Sequence, residues 1–310
     1  MDFVAKRWWY FAISALVIIP GMIFFAIPPH LKLGIDFTGG SSMGVSFTRD
    51  VSQQDLRAEL TKLGYGDAIV QSVGGNSYFV RTKELGETQK NDLVTSLNDF
   101  VPLTGGKEDS FDYVSALIAE ETVRNSIIAV IVASLGIMAY ITWAFRSVPN
   151  SLRFGVCAVA TLIHDVGAAL GAFAILSRFI TVEVNTMFIL GLLTVLGYSV
   201  HDTIVVFDRI RENLKRGFSR DLATVVNVSI METIGRSLST SIAVLLTLFA
   251  LLLFGGPTIR DFVLVLLIGI AAGTYSSIAI ASPLLVMWND GEFIRLFKKL
   301  PLPMKAKSQA

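Results

Sequence analysis

Six runs of apolar residues, each long enough or nearly long enough to cross a lipid bilayer, restrict this chain to a polytopic α-helical membrane fold. They are Trp8–Ile27, Ser126–Phe145, Phe154–Leu176, Met187–Phe207, Leu238–Phe254 and Phe262–Trp288. A hydrocarbon core of roughly 30 Å takes about 20 helical residues, and the fifth run falls short of that with 17. Composition agrees: 53% of the 310 residues are hydrophobic and 16% charged. The first run follows Lys6 and Arg7 and leads into "AIPPH" instead of a small-residue cleavage site, the pattern of a retained signal anchor.

Short loops set the orientation, because Lys and Arg gather on the cytoplasmic side. With a cytoplasmic N-terminus, the cytoplasmic pieces carry Lys6 and Arg7, then Arg146 and Arg153, then Arg209, Arg211, Lys215, Arg216, Arg220 and Arg236, then a tail from Arg295 to Lys307. The opposite short loops carry only Arg178 and Arg260. Both termini are therefore expected in the cytoplasm. Four regions follow: 1–28, the N-terminus and first membrane helix; 29–125, an extracytoplasmic domain; 126–290, membrane helices two to six with a basic cytoplasmic loop at 208–236; and 291–310, a basic cytoplasmic tail. That loop is amphipathic as well as basic, which attracts anionic membrane lipids, although topology determination alone accounts for its charge. The net charge of +1 gives no bias toward nucleic acid, and no such partner is expected.

Residues from about 33 to 124 are polar and rich in turns. "SSMGVSF" reads as a strand after a Gly39-Gly40 turn, and "SQQDLRAELTKLGYG" as a helix capped by Ser52 and ended by Gly64 or Gly66. "AIVQSV" and "SYFVRTK" form a hairpin about Gly75-Asn76, "ETQKNDLVTSLNDF" a second helix and "SFDYVSAL" a last strand. The order βαββαβ predicts a ferredoxin-like α+β domain between membrane helices 1 and 2. It holds no cysteine, no histidine after His30, no nucleophile elbow and no phosphate loop between strand and helix. A domain without chemistry is expected to bind or to move. In the apolar runs, Gly167 with Gly171 and Gly269 with Gly273 sit at the four-residue spacing that lets helix backbones approach closely. That contact is equally well internal or with a partner.

The costliest residues are the charges inside the runs. "IHDVG" places His164 and Asp165 near the middle of the third run; "GYSVHDTIVVFDRIRE" places His201 and Asp202 in the fourth; Arg236 precedes the short fifth run and is drawn to its edge. If Asp208 marks the interface, Asp202 lies about 9 Å inside it, too deep for a short side chain to snorkel. A charge at a membrane-helix centre costs about 2.5–3.5 kcal/mol, so the carboxylate needs a cavity, a proton or a cation. Asp202 reads as a switchable proton site or as one half of a static pair with Arg236. Asp165 and His164 read as a relay or as a satisfied polar pair joining helices, and Arg236 as the partner of Asp202 or as a snorkelling anchor. Neighbours on a helix point about 100° apart, so His201 and Asp202 cannot face one partner. The His-Asp pairs lack metal-ligand spacing, Cys157 is the single cysteine, and "GYS" has no oxyanion loop or dyad. Neither a metal nor a catalytic residue is expected.

Taken together, "GIDFTGG", "IHD", "GYSVHDTIVVFDRIRE" and "SIMETIGRSLSTS" resemble the SecF family of protein-export membrane proteins, six-span partners of SecD, over essentially the whole chain. The resemblance implies a non-enzymatic, multi-pass subunit of the bacterial inner membrane, with the extracytoplasmic domain in the periplasm and an RND-like half for a membrane bundle. It implies SecD, the SecYEG translocon and unfolded exported proteins as partners, use of the proton-motive force, and no cofactor. By the same resemblance Asp202 matches a proton-conducting aspartate and Arg236 the arginine paired with it. Asp165, beside His164, matches a further motif aspartate. Asp36, Gly39 and Gly40 match the motif joining helix 1 to the outside domain. Asn is the usual family residue where His201 stands, and a titratable imidazole there would tune the relay. Two rival readings are a subunit of an RND-type proton-driven small-molecule exporter, which needs a ligand cavity outside the membrane, and a non-conducting scaffold of the translocon.

Overall fold

The computed structural model describes residues 2–27, 33–148, 150–180 and 182–292. His30 and the tail from Arg295 to Lys307 lie outside the described residues. The first membrane helix, α1 (Arg7–Ala26), follows a turn whose Phe3 and Val4 are buried, their N–H groups donated to Asn227 Oδ1 at 2.8 and 3.1 Å. After it comes a single helical turn, α2 (Ile35–Thr38), which the sequence does not announce.

The elements that follow are β1 (Gly40–Ser46), α3 (Gln53–Lys62), β2 (Ile69–Gly74), β3 (Ser77–Thr82), α4 (Glu87–Phe100) and β4 (Ser110–Val114), in the order read from the sequence. All three strand pairings are antiparallel and the sheet order is β2-β3-β1-β4. Strand alternation and helical i,i+4 spacing meet in one core: Met43, Val45 and Val80 from the sheet pack with Leu56 and Leu60 of α3 and Leu93 and Leu97 of α4. Ser52 caps α3 as expected, its hydroxyl accepting the Asp55 N–H.

One ion pair makes this domain pH-dependent. Lys90 Nζ lies 2.5 Å from Glu108 Oε1, and that hydrogen bond is the main reason the Glu108 carboxyl is held below the ordinary glutamate value. A carboxyl depressed on folding stabilises fully above its unfolded value and loses that contribution as pH falls through the folded one. Hydrogen exchange in α4 and β4 should therefore quicken as pH falls below about 4.5, after correction for intrinsic exchange. Because the pair is partly solvated, Glu108→Gln should remove only about 0.5 kcal/mol of that dependence; an identical pH response in the variant would refute the assignment.

The membrane bundle continues with α5 (Ala116–Ala144), α6 (Ser151–Leu176), α7 (Thr186–Lys215), α8 (Leu222–Phe254), α9 (Arg260–Ser276), a π turn (Ser277–Ala281) and α10 (Ser282–Asn289). The last three form one continuous stretch, so six helical stretches are long and apolar enough to cross a membrane. Helices overrun the apolar runs: α5 starts ten residues before Ser126, capped by Ser115, and α8 starts well before Leu238, capped by Asp221. The π turn precedes Pro283, which has no N–H to give the Ala279 carbonyl and would crowd it in a regular α-helix.

Both glycine pairs make contacts inside the chain. A Cβ on Gly21 of α1 would lie 2.2 Å from Gly171 Cα of α6, and one on Gly273 of α9 would lie 2.9 Å from Ser199 Cβ of α7. Gly269 faces Val195 of α7 and Gly167 faces Ile18 of α1. Helices α6, α7 and α9 thus form the centre, while α1, α5 and α8 expose apolar side chains such as Leu16, Val132 and Leu246.

Candidate functional site

Two carboxylates of the apolar runs, Asp165 and Asp202, are buried among the packed helices α6 to α9. Asp165 on α6 is fully buried. Its Oδ2 accepts the Ser199 hydroxyl of α7 at 2.5 Å, its Oδ1 lies 2.9 Å from His164 Nδ1, and His164 Nε2 lies 2.8 Å from Ser14 Oγ of α1. When Nδ1 carries the proton toward the carboxylate, Nε2 accepts from Ser14, so one tautomer satisfies the whole chain of groups. His164 and Asp165 thereby tie α1, α6 and α7 together.

Asp202 lies three residues beyond Ser199, on the same side of α7 and one turn away. It is buried, and its Oδ2 faces Ser241 Oγ of α8 at 3.3 Å and Thr274 Oγ1 of α9 at 3.4 Å. Those two hydroxyls are 2.6 Å apart, and Thr274 Oγ1 is also 2.9 Å from the Ile270 carbonyl. One hydroxyl proton serves one strong acceptor at a time, so the carboxylate is held by long, shared hydrogen bonds. Tyr198 extends the group, donating to Ser241 at 3.3 Å. Among the described residues no cation forms an ion pair with Asp202, and its side-chain hydrogen-bond partners are the hydroxyls of Ser241 and Thr274.

The pair expected between Asp202 and Arg236 is not formed. Arg236 is exposed. Ser241, which does reach Asp202, is five residues further along α8, about 140° around the helix and about 7.5 Å along it. The buried face of this segment carries Ser237 and Ser241, and Ser237 Oγ is buried with no hydrogen-bond partner. His201 is likewise exposed, turned away from the pocket that holds Asp202, as the 100° step between neighbours requires. Ser199, Ser241 and Thr274 are the hydroxyl partners of the two carboxylates that sequence reasoning did not pair with them. Their trace is a hydroxyl at helical spacing on the side of each helix that carries small or polar residues.

The motif residues near α2 form a joint between the α+β domain and the bundle. Asp36 Oδ2 accepts the Thr186 N–H at 2.8 Å, capping the first turn of α7, where the helix dipole favours a negative group. Gly34 N donates to the Val184 carbonyl at 2.8 Å, and Arg81 of β3 pairs with Glu183 just before α7. Gly39 and Gly40 have φ of +69° and +119°, and a Cβ on Gly40 would stand 2.5 Å from the Thr82 carbonyl oxygen, so neither position accommodates a side chain without strain. The domain is thus fastened to the start of the helix that carries Asp202.

Comparison with known proteins decides the family. The C-terminal family of protein-export membrane proteins SecD and SecF matches residues 99–291, and the SecD/SecF GG motif matches residues 29–51. The protein translocase subunit SecF of Thermobaculum terrenum is 42% identical over 96% of this chain and 97% of its own length. That of Anaerolinea thermophila is 39% identical over 99% and 100%. The chain belongs to the SecD/SecF family. It is a multi-pass protein of the bacterial inner membrane.

Solved SecDF structures agree. SecDF from Thermus thermophilus, a translocon-associated membrane protein, superposes with a TM-score of 0.82 at 32% identity over 94% of this chain. This chain spans 39% of that longer one. SecDF in a super-membrane-facing form, 31% identical over 96% of the chain, gives a TM-score of 0.66. The chain superposes better on the first of these two structures than on the second. The GG-motif match includes Asp36, Gly39 and Gly40, the residues of the joint.

Proposed function

We propose that this chain is a SecF-type accessory subunit of the Sec translocon, which pairs with SecD and uses the proton-motive force to promote export of unfolded proteins through SecYEG. It works as a transport subunit and catalyses no covalent chemistry. The observation that carries the reading is the setting of Asp202: buried at a three-helix seam, hydrogen-bonded by the hydroxyls of Ser241 and Thr274 and ion-paired with no cation among the described residues. A group so placed changes the charge of its seam each time it takes up or gives off a proton, and neighbouring helices repack in response.

Asp202 is the working site in this proposal, with His164 and Asp165 as the neighbouring station one turn away. Arg236 and His201, both on exposed faces, join the relay through the surface of a membrane partner such as SecD. The strand order and antiparallel pairing support the ferredoxin-like reading of the α+β domain, which lies on the periplasmic side with both termini in the cytoplasm. Because Asp36 caps α7, repacking around Asp202 reaches that domain through the helix itself. The experiment is export into energised vesicles by the chain assembled with SecD: Asp202→Asn should lose the gradient-dependent component, whereas a scaffold would keep it.

A further inference from the structure

The sequence spreads lipid attraction over the whole basic loop at 208–236, yet most of its arginines are neutralised within the chain. Arg209 pairs with Glu212 and Glu232, Arg211 with Asp208, and Arg216 with Glu212. Arg220 has no acidic partner among the described residues. Nor has Arg153 in the first turn of α6, whose Nη1 lies 3.3 Å from Asn289 Oδ1. These two arginines line one pocket of about 350 Å³, at the end of the bundle where α6 and α8 begin and α7 and α10 end. That volume is within the range of small-molecule sites.

The other walls are largely apolar, with Val148, Leu214 and Leu222 among them. The N-terminus of α6 opens at the same place, and its N-cap residue Asn150 makes no side-chain cap bond, so first-turn N–H groups add to the positive field of the arginines. We infer that this pocket binds an anionic phospholipid, its phosphate between Arg153 and Arg220 and its acyl chains against Val148, Leu214 and Leu222. Two guanidinium forks without acidic partners suit a phosphate, which accepts paired hydrogen bonds. The apolar walls, and a position level with the head groups when the six helices span, select an amphiphile over a free anion.

The test uses the full chain assembled with SecD, with native mass spectrometry of lipid retained from phosphatidylglycerol and phosphatidylcholine nanodiscs. Phosphatidylglycerol should be retained in preference. Arg153→Gln with Arg220→Gln should weaken that retention about 25-fold, roughly fivefold for each arginine, whereas Arg216→Gln should leave it unchanged because Glu212 already holds Arg216. Equal retention of phosphatidylcholine, an unaffected double variant, displacement by millimolar inorganic phosphate, or loss of the lipid when SecD assembles would each overturn the inference. The last two results would assign the pocket to a free anion or to a protein partner. Photolabelling of the unaltered chain by phosphatidylglycerol with a diazirine in its acyl chain avoids any folding defect of the variant: label on Leu214 or Leu222 supports the site, and its absence there refutes it.

Discussion

Asp202→Asn, assembled with SecD, is expected to lose the proton-gradient-dependent part of export while its assembly and gradient-independent part persist. The amide keeps the volume of the carboxyl and an oxygen that still accepts from Ser241 and Thr274, so folding stability should change by less than about 1 kcal/mol. The variant has no proton to exchange. One proton moving through 100 mV releases about 2.3 kcal/mol, an equilibrium bias of about 50-fold, and that bias is what the substitution removes. Arg236→Gln supplies a contrast: in this arrangement Arg236 is exposed and unpaired with Asp202, so its loss should leave thermal stability unaltered. A marked loss of stability in Arg236→Gln would show that the pair exists after all.

Gly21→Val should have the largest effect on stability. Its new Cβ would fall 2.2 Å from Gly171 Cα, 2.7 Å from Gly171 C and 2.8 Å from Gly171 O. These are backbone atoms of a helix, which cannot rotate aside as a side chain does, so α1 must separate from α6. Overpacking of a core costs about 1–3 kcal/mol where side chains yield, and here roughly 3 kcal/mol or more is expected. Separation also pulls Ser14 from His164, because the two meet across the same helix pair. Gly197→Ala, where an added Cβ meets nothing within 4 Å, is the matched control and should be neutral or slightly stabilising. Thermal unfolding in detergent compares the two; similar midpoints would contradict the close α1–α6 contact.

The six membrane stretches were legible because bilayer thickness imposes a length on any apolar run, and the α+β domain because strand and helix periods differ. Helix ends were less legible. The segment "ALIAEETVRN" before Ser126 is too polar to read as part of a span, yet Ser115 caps it and it runs unbroken into α5. Helix α2 is one turn long and has no period to detect.

Within the site, Asp165 and Asp202 stood out because a carboxylate is costly in an apolar run, and both are buried. Their hydroxyl partners did not stand out. Serine and threonine in these helices commonly bond the carbonyl four residues back, as Ser134 does to Val130 and Thr161 to Cys157, so Ser241 and Thr274 look ordinary in sequence. Arg236 reads in sequence either as the partner of Asp202 or as a snorkelling anchor, and sequence alone does not choose between them. Position at the edge of a run says nothing of facing, and the buried side of α8 near Asp202 carries Ser237 and Ser241.

The most direct measurement is pH-dependent difference infrared spectroscopy of the carboxyl C=O stretch, on the chain assembled with SecD in lipid. If Asp202 loads and releases the transported proton, a band should appear and vanish reversibly between about pH 5 and 9, the window in which a carrier near neutrality works, and should be missing in Asp202→Asn. A spectrum in which Asp202 keeps one protonation state across that whole window would contradict the proton-site reading and leave the buried carboxyl a fixed part of the scaffold.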